Sequence, residues 1–593
     1  MMLDTAGVPR AEPAYFMADD RPCLRWLHRT AEMVGAHDVG VVICNPFGYE
    51  GICAHRSLRH LAEQCAAIGF PALRFDYEGT GDSAGDDLAP GRWEAWLASV
   101  RAASRELRET TGVSRVVLLG VRLGATIAVS AAVDDPTVAG AVLIAPIVNG
   151  RTWLRELRAL RGTMGRAAGP PEFALPDDVL ESAGLLIAGD TRAALESIDL
   201  ATFSGSMPPD LLLIDRTDRP PNEALVDRWR EEGRGVRHSV LPGYLEMMAD
   251  PHESQVPSAF IADVVSWLEA TFPSRRSRTD VQLPHSPDDG GLLAALVADG
   301  IEERVHWLDD NRRLFGVSTI PVGSHPTRAL VLLNSGANHH IGYGRMYVKI
   351  ARRLAAAGWV VLRYDVSGIG ESRPHDGAPE CTVYTPHAVE DFGAVLAYLG
   401  RAYAPQHIEA MGVCSGAYHA LKGAAAGLPV HGVTVINPLV FFWKQGTSLA
   451  YPAYEMVKAV SEYKRSILRA DKWLKAIRGG VDVREFAMVM TNRLGDRARR
   501  SGRELLRTLG AQVEDDLAAE LSGIVRRGVR LRFVFSVGEP GEALLRAGAG
   551  RTLTKLQATG ALSISHLANC DHSLTSTWMQ EFAWSQLYPT LDE

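Results

Sequence analysis

Residues 410–417, AMGVCSGA, decide how the rest of the chain is read. The apolar run before them has the pattern of a short strand and the stretch after them that of a helix, so Gly412-Val413-Cys414-Ser415-Gly416 falls at a strand-to-helix turn. Small residues on both sides allow the turn to be tight. The middle residue is a thiol at a helix N-terminus, where the dipole and free N–H groups favour a thiolate. Cys414 is therefore the expected nucleophile. Ser415 is the competing hydroxyl, but in such a turn the residue after the nucleophile supplies a backbone N–H to an oxyanion hole. The plainer alternative is a small cysteine that only fills a turn.

Moving outward from this stretch, the chain repeats itself. LRFDYEGTGDS (73–83) matches LRYDVSGIGES (362–372), which pairs Arg74 with Arg363, Asp76 with Asp365 and Gly81 with Gly370, each 289 positions on. VVICN (41–45) matches LVLLN (330–334) at the same offset, and LLGVRLGA (118–125) matches AMGVCSGA at an offset of 292. AVLIAP (141–146) matches VTVINP (433–438) at that second offset. Within each copy, apolar runs alternate with amphipathic stretches of helical length, the pattern of βαβ units around a parallel sheet. In the second copy they read as strands 329–334, 359–365, 408–412 and 432–437, and helices 343–357, 387–403 and 416–426. Each copy opens with a hairpin pattern, at 15–29 and 305–318.

The expected domains are 1–272, a linker 273–299 containing FPSRRSRTDVQLPHSPDDGG, and 300–593. Extra helical material follows Pro146 and Pro438. The second insertion, about 440–525, includes YPAYEMVKAVSEYKRSILRADKWLKAI and GDRARRSGRELLRTLG and reads as a helical cap. Its basic residues read as a solvated face, with docking of an acidic partner as the sharper alternative.

A length of 593 residues exceeds one core, and 46% hydrophobic with 22% charged residues is ordinary globular composition. A net charge of −8 gives no basic footprint for nucleic acid. Seven cysteines without a CxxC pair argue against a disulfide framework or a zinc site and point to the reducing cytoplasm. No signal peptide and no apolar run of spanning length is present in the sequence, so membrane insertion is not expected. No cofactor is expected.

A nucleophile needs a base. In this kind of site the histidine comes last in the chain, and SISHLANCDHSLTS supplies His572 between a strand at 561–565 and a helix starting near Ser573, with His566 as rival. The orienting acid follows the preceding strand, RLRFVFS (530–536), which selects Glu539, with Glu542 and Asp571 as rivals. A second oxyanion donor is expected from NSGANHHIG (334–342), near Ala337, with His339 or His340 lining the pocket.

At the matching turn of the first copy, Gly120-Val121-Arg122-Leu123-Gly124, the middle residue is arginine, which cannot attack a carbonyl. Its charge opposes the helix dipole and needs an anion, either an acid such as Asp218 or a bound carboxylate or phosphate. His252 stands where a catalytic histidine would be. The first copy is thus expected to be non-catalytic, with an anion site at Arg122 and His252 as the alternative.

These motifs resemble two α/β hydrolases associated with exosortase A systems. The first copy is similar to the type-two hydrolase through RFDYEGTGDS, GVRLGA, NGRTWLRELRALR and GYLEMMADPHES, and the second to the type-one hydrolase through RYDVSGIGES and GVCSGA. The resemblance implies two tandem α/β-hydrolase domains of serine-aminopeptidase type, each a mostly parallel sheet flanked by helices with cap insertions. Here the two types are fused, and the acid after the strand is Glu. A GxCxG turn also resembles that of cysteine-dependent α/β-hydrolase-fold shuttles that move acyl groups between carrier proteins. The expected function is acyl transfer from an ester or thioester through Cys414, with an acyl carrier protein as a candidate partner. The alternatives are simple ester or thioester hydrolysis and a non-enzymatic binding module with degenerate sites.

Overall fold

Strand β1 (Glu12–Ala18) turns into β2 (Arg21–His28) through Asp19, whose φ of 51° sits in the left-handed region that a tight hairpin uses. There follow β3 (Val39–Cys44), β4 (Ala72–Phe75), β5 (Arg115–Val121) and β6 (Val138–Ile144). A small antiparallel hairpin of β7 (Leu180–Ser182) and β8 (Leu185–Ile187) precedes β9 (Asp210–Arg216) and β10 (Gly235–Leu241). The computed structural model describes residues 11–30, 36–163, 169–182, 184–273, 295–444, 446 and 515–588.

The first copy forms one sheet in the order β1-β2-β4-β3-β5-β6-β9-β10, antiparallel at β1-β2-β4 and parallel from there on. Its centre is apolar on both faces: β3 and β6 are buried throughout, as parallel strands covered by helices on two sides must be. One face packs against helices Gly48–Ala67 and Ser258–Thr271 through Leu58, Leu61, Val264 and Leu268. The other packs against helix Arg92–Thr111 through Trp96, Val100 and Leu107.

The second copy repeats the plan. Strands β11 (Leu296–Ala298), β12 (Ile301–Trp307), β13 (Phe315–Pro321), β14 (Arg328–Leu333) and β15 (Trp359–Tyr364) run in the order β11-β12-β13-β15-β14, with only the last pair parallel. Strands β16 (His407–Val413), β17 (Gly432–Ile436), β18 (Arg530–Ser536) and β19 (Leu562–Leu567) are parallel neighbours in sequence order. By packing, the chain divides into one unit of Met1–Val383, Tyr398–Pro405 and Leu574–Glu593 and another of Tyr384–Ala397 and Gln406–Ser573. The first unit thus holds the whole first copy and the opening of the second.

Several elements differ from expectation. The helix expected over 343–357 is a 3-10 turn, Tyr343–Arg345, followed by a helix Met346–Ala356, because Gly344 and Arg345 both take positive φ. The final helix begins at Thr577 rather than near Ser573: Leu574 is left-handed, at φ 55°, and extended Ser576 occupies the N-cap. In the first copy the insertion after Pro146 is not purely helical, since it combines helices Gly150–Thr163 and Gly189–Glu196 with the β7–β8 hairpin. Most of the linker (274–294) and of the second cap (447–514, including both quoted cap segments) lies outside the described residues. Of that cap, helix Leu517–Arg526 is described, with the Asp516 side chain accepting from Ala519 N.

In the first unit the two copies of the repeated segment meet. Arg74 donates through both terminal nitrogens to Glu371, at 2.8 Å each, while Arg363 donates to Asp82. Arg74 is equivalent to Arg363 and Asp82 to Glu371, so each copy gives its arginine to the other's acid. Arg345 adds hydrogen bonds to the carbonyls of Gly81 and Gly79 at 2.9 and 2.7 Å and to Asp87 at 2.7 Å. All four members of the exchanged pairs are buried. Removing one partner from such a pair costs roughly 3–5 kcal/mol, because the other charge is then stranded away from water.

Candidate active site

The two elbows are built alike. Arg122 has φ 55° and ψ −122°, Cys414 has φ 56° and ψ −113°, and both lie outside the favoured regions for a residue with a side chain. Arg122 N donates to Ile144 O at 3.0 Å and Cys414 N to Ile436 O at 2.9 Å, which ties each elbow to the next strand. Close approach of the returning helix demands glycine before each turn. A Cβ on Gly120 would lie 2.4 Å from Ala125 Cα, and one on Gly412 would lie 2.2 Å from the Gly416 carbonyl carbon. Ser415 is the fully buried first residue of helix Ser415–Ala425, and Cys414 is partly exposed at that helix's N-terminus.

His572 lies in the loop after β19. Its Nδ1 pairs with Glu539 Oε2 at 3.0 Å, and Glu539 is the residue just before helix Pro540–Ala558. The rivals are occupied with one another. Glu542 binds Arg546 at 2.7 Å and His566 at 2.9 Å, and His566 sits within β19 rather than in the loop. Asp571 offers its backbone carbonyl to Ser536 Oγ at 3.0 Å. Burial by itself would lower the His572 pKa. The Cys414 thiol and the Glu539 carboxylate outweigh it and raise the imidazole well above its ordinary value, although Nε2 makes no hydrogen bond among the described residues.

Asn437 is a residue that the motifs did not single out. Fully buried at the end of β17, it accepts from Ser536 N at 2.8 Å and donates to Ser536 Oγ at 3.0 Å and to the His572 carbonyl at 2.8 Å. It thereby fixes the backbone that carries the histidine. A signal was available: the first copy has Ala145 at the equivalent place, with the same φ of 46°.

Ala337 is buried in the loop after β14, within the first unit. His339 stacks on His55 at 4.2 Å and lines a cavity of about 110 Å³ together with Phe47, Arg74 and Asp76. His340 does not line that cavity; it is fully buried between two carboxylates.

In the first copy the expected partner of Arg122 is corrected. Asp218 pairs with Arg216 instead, at 2.8 Å, because both sit at the exposed end of β9. Arg122 donates to Glu50 at 2.9 Å and to Glu156 at 3.4 Å, and lies over the Tyr244 ring at 6.0 Å. Its charge is therefore met by side chains from the helix after β3 and from the insertion. His252 lies 3.7 Å from Glu253 and is partly exposed. A 220 Å³ pocket beside Arg122 also carries Glu156, Asp215, Arg216 and Arg219, a mixed-charge lining.

Residues 48–175 and 325–472 match the family model described as serine aminopeptidase, S33. No curated protein matches the chain. Among solved structures, Est1E from Butyrivibrio proteoclasticus with bound ferulic acid is similar at 18% identity and a TM-score of 0.34, over 43% of this chain and 98% of that one. A proline iminopeptidase-related protein from Thermus thermophilus is similar at 19% identity and a TM-score of 0.30, over 45% of this chain and 99% of that one. A lidless serine hydrolase from Xanthomonas campestris is similar at 14% identity and a TM-score of 0.30, over 45% and 97%. No helix among the described residues is long and apolar enough to cross a membrane. With this sheet order, an elbow at the same place in each sheet and a family match that falls once in each half, the chain carries the α/β-hydrolase fold twice, as two hydrolase-like domains.

Proposed function

We propose that the second copy is an acyltransferase acting through a Cys414 thioester, with the first copy non-catalytic. The observation that carries this reading is the His572–Glu539 pair at 3.0 Å on an imidazole whose pKa the Cys414 thiol also raises. Cys414 attacks the carbonyl carbon of an ester or thioester as a thiolate; a sulfur–carbon bond forms, and the bond to the leaving oxygen or sulfur breaks as His572 Nε2 gives it a proton. Glu539 holds Nδ1 and stabilises the charged ring. The backbone N–H of Ser415, the residue after the nucleophile, receives the developing oxyanion. An acceptor amine, alcohol or thiol then attacks the acyl carbon, gives its proton back to Nε2, and frees the sulfur.

A thioester on the enzyme suits transfer because it is close in energy to a thioester donor, and an acyl carrier protein is the proposed source. A reducing compartment, the cytoplasm, suits a chain whose seven cysteines are all free. The second reading, hydrolysis to a free acid, is favoured by the match to a peptidase family model. Intact-mass analysis after mixing with a panel of acyl-thioesters tests both. An adduct on Cys414 that water removes slowly and an acceptor removes quickly supports transfer. Rapid loss to water whatever acceptor is offered makes the protein an esterase or thioesterase, and absence of any adduct leaves a binding module.

A further inference from the structure

Asp365 of the second copy and Asp76 of the first are equivalent residues of the repeat, yet they keep different company. Asp365 is fully buried against an imidazole: it takes the His340 backbone N–H at 2.7 Å and pairs with His340 Nδ1 at 2.9 Å, while His340 Nε2 pairs with Asp82 at 2.6 Å. A neutral imidazole has one N–H, whereas each ring nitrogen here faces a carboxylate, so the ring is held as an imidazolium donating twice. Burial opposes that charge, but Asp365 and Asp82 raise its pKa to about 10.

Asp76 has no such partner. It accepts from Asp82 N at 3.0 Å and makes no ion pair among the described residues. Gly51 holds the position of His340 in the repeat and brings no side chain. The backbone differs as well: residues 48–56 are already helical, whereas their counterparts 337–345 form the loop and 3-10 turn ahead of the helix. In the first copy Asp76 instead borders the cavity of about 110 Å³ that His339 also lines, together with Gly51, Phe47 and Trp96. Burial and the nearby Asp82 push its pKa up to about 7, as befits a carboxylate short of positive charge.

The other charges of the lining are matched. Arg74 pairs with Glu371 at 2.8 Å, Arg345 with Asp87 at 2.7 Å, and Arg92 with Glu78 at 3.9 Å. Asp87, the second acid of the lining, also holds Lys349 at 2.6 Å. His339 is neutral, because burial pushes its pKa well below the ordinary value, so the ring keeps one nitrogen able to accept. Phe47 and Trp96 supply apolar wall for a carbon skeleton, and the space is that of one small ring. Arg122 does not line it.

We propose that this cavity is a binding site for a small organic cation bearing N–H groups, an amine or an imidazolium, with Asp76 as its counter-ion. The ligand stands to Asp76 as the His340 ring stands to Asp365. Every residue of the lining belongs to the first packing unit, and because His339, Ile341 and Arg345 come from the second copy, the bound cation also braces the seam between the repeated segments. Cys414 plays no part in it.

Calorimetric titration of the full chain at about pH 8, above the Asp76 pKa, tests the site with cyclopentylammonium and with cyclopentanol, which has the same carbon ring without the charge. The cation should bind roughly 10–100-fold more tightly than the alcohol, the range of a hydrogen bond to a charged group, and should raise the melting temperature as its concentration rises. Asp76→Asn should erase that preference. Ile52→Trp, which fills the cavity and leaves Asp76 in place, should abolish binding of both probes. If Asp76→Asn does not fold, the two probes on the wild type and on Ile52→Trp decide. Equal affinities in the wild type, a preference for the cation that survives either variant, or no binding of either probe at millimolar concentration would overturn the proposal.

Discussion

The elbows at Arg122 and Cys414 share backbone angles to within ten degrees, a hydrogen bond to the following strand and a glycine that no other residue could replace, yet one holds a cation and the other a thiol. The strained turn is therefore a property of the fold: it persists where its chemistry has gone. What separates the copies lies around the turn. Cys414 has a histidine held by a carboxylate and by Asn437, whereas Arg122 is neutralised by Glu50 and Glu156 while His252 keeps company with Glu253.

The deepest cut into this comparison is Cys414→Ala, which should abolish the covalent adduct and lower turnover on the order of 10⁴–10⁶-fold, as loss of a nucleophile does. Single-turnover mass spectrometry reads it directly. His572→Ala comes next, at about 10²–10⁴-fold, with partial recovery at high pH where hydroxide generates the thiolate. Glu539→Gln should cost less than His572→Ala, and Glu542→Gln almost nothing, because Glu542 is already committed to Arg546 and His566. The reverse ranking in steady-state rates would show that the acid is misassigned.

A smaller effect is expected where the copies differ by one clamp. Asn437→Ala, which copies Ala145, should lower kcat by roughly ten-fold through a displaced His572 while Cys414 remains the labelled residue. Arg122→Cys should not create a second acylation site, since the first copy lacks the paired histidine; peptide mapping of the adduct would detect one. The mildest effect concerns pH. His340 has a folded pKa of about 10, above the ordinary value, so its contribution to stability is complete below about pH 6.5 and fades as the pH rises towards about 10. Thermal melts across that range should fall for the wild type and fall less for His340→Gln.

The order of residues along the chain made much of this legible. The repeat offsets located both sheets, and the rule that the histidine follows the last strand and the acid the one before it led to His572 and Glu539, which the structure brings together. Local sequence did not reach the partners of Arg122, because Glu50 and Glu156 lie 72 and 34 residues away in other elements, whereas the guessed Asp218 had a closer arginine beside it. The exchanged ion pairs were hidden for the same reason. Asp82 and Glu371 look like ordinary turn acids in their own segments, and only the folded chain sets each beside an arginine of the other copy.

That exchange bears on how the protein is made. Arg74 precedes Glu371 by 297 residues and Asp82 precedes Arg363 by 281. At roughly 5–20 residues per second, the first copy waits about 15–60 s at the ribosome before its counterparts are synthesised. Throughout that interval it presents charged groups where the finished molecule has a buried seam, and hydrated charge is far less adhesive than a bare apolar patch of the same extent. That holds for the ion pairs alone: Trp26, whose ring lies 6.4 Å from that of Phe315, and Leu24, which clusters with Leu296, are apolar parts of the same seam that gain their cover only when the second copy emerges.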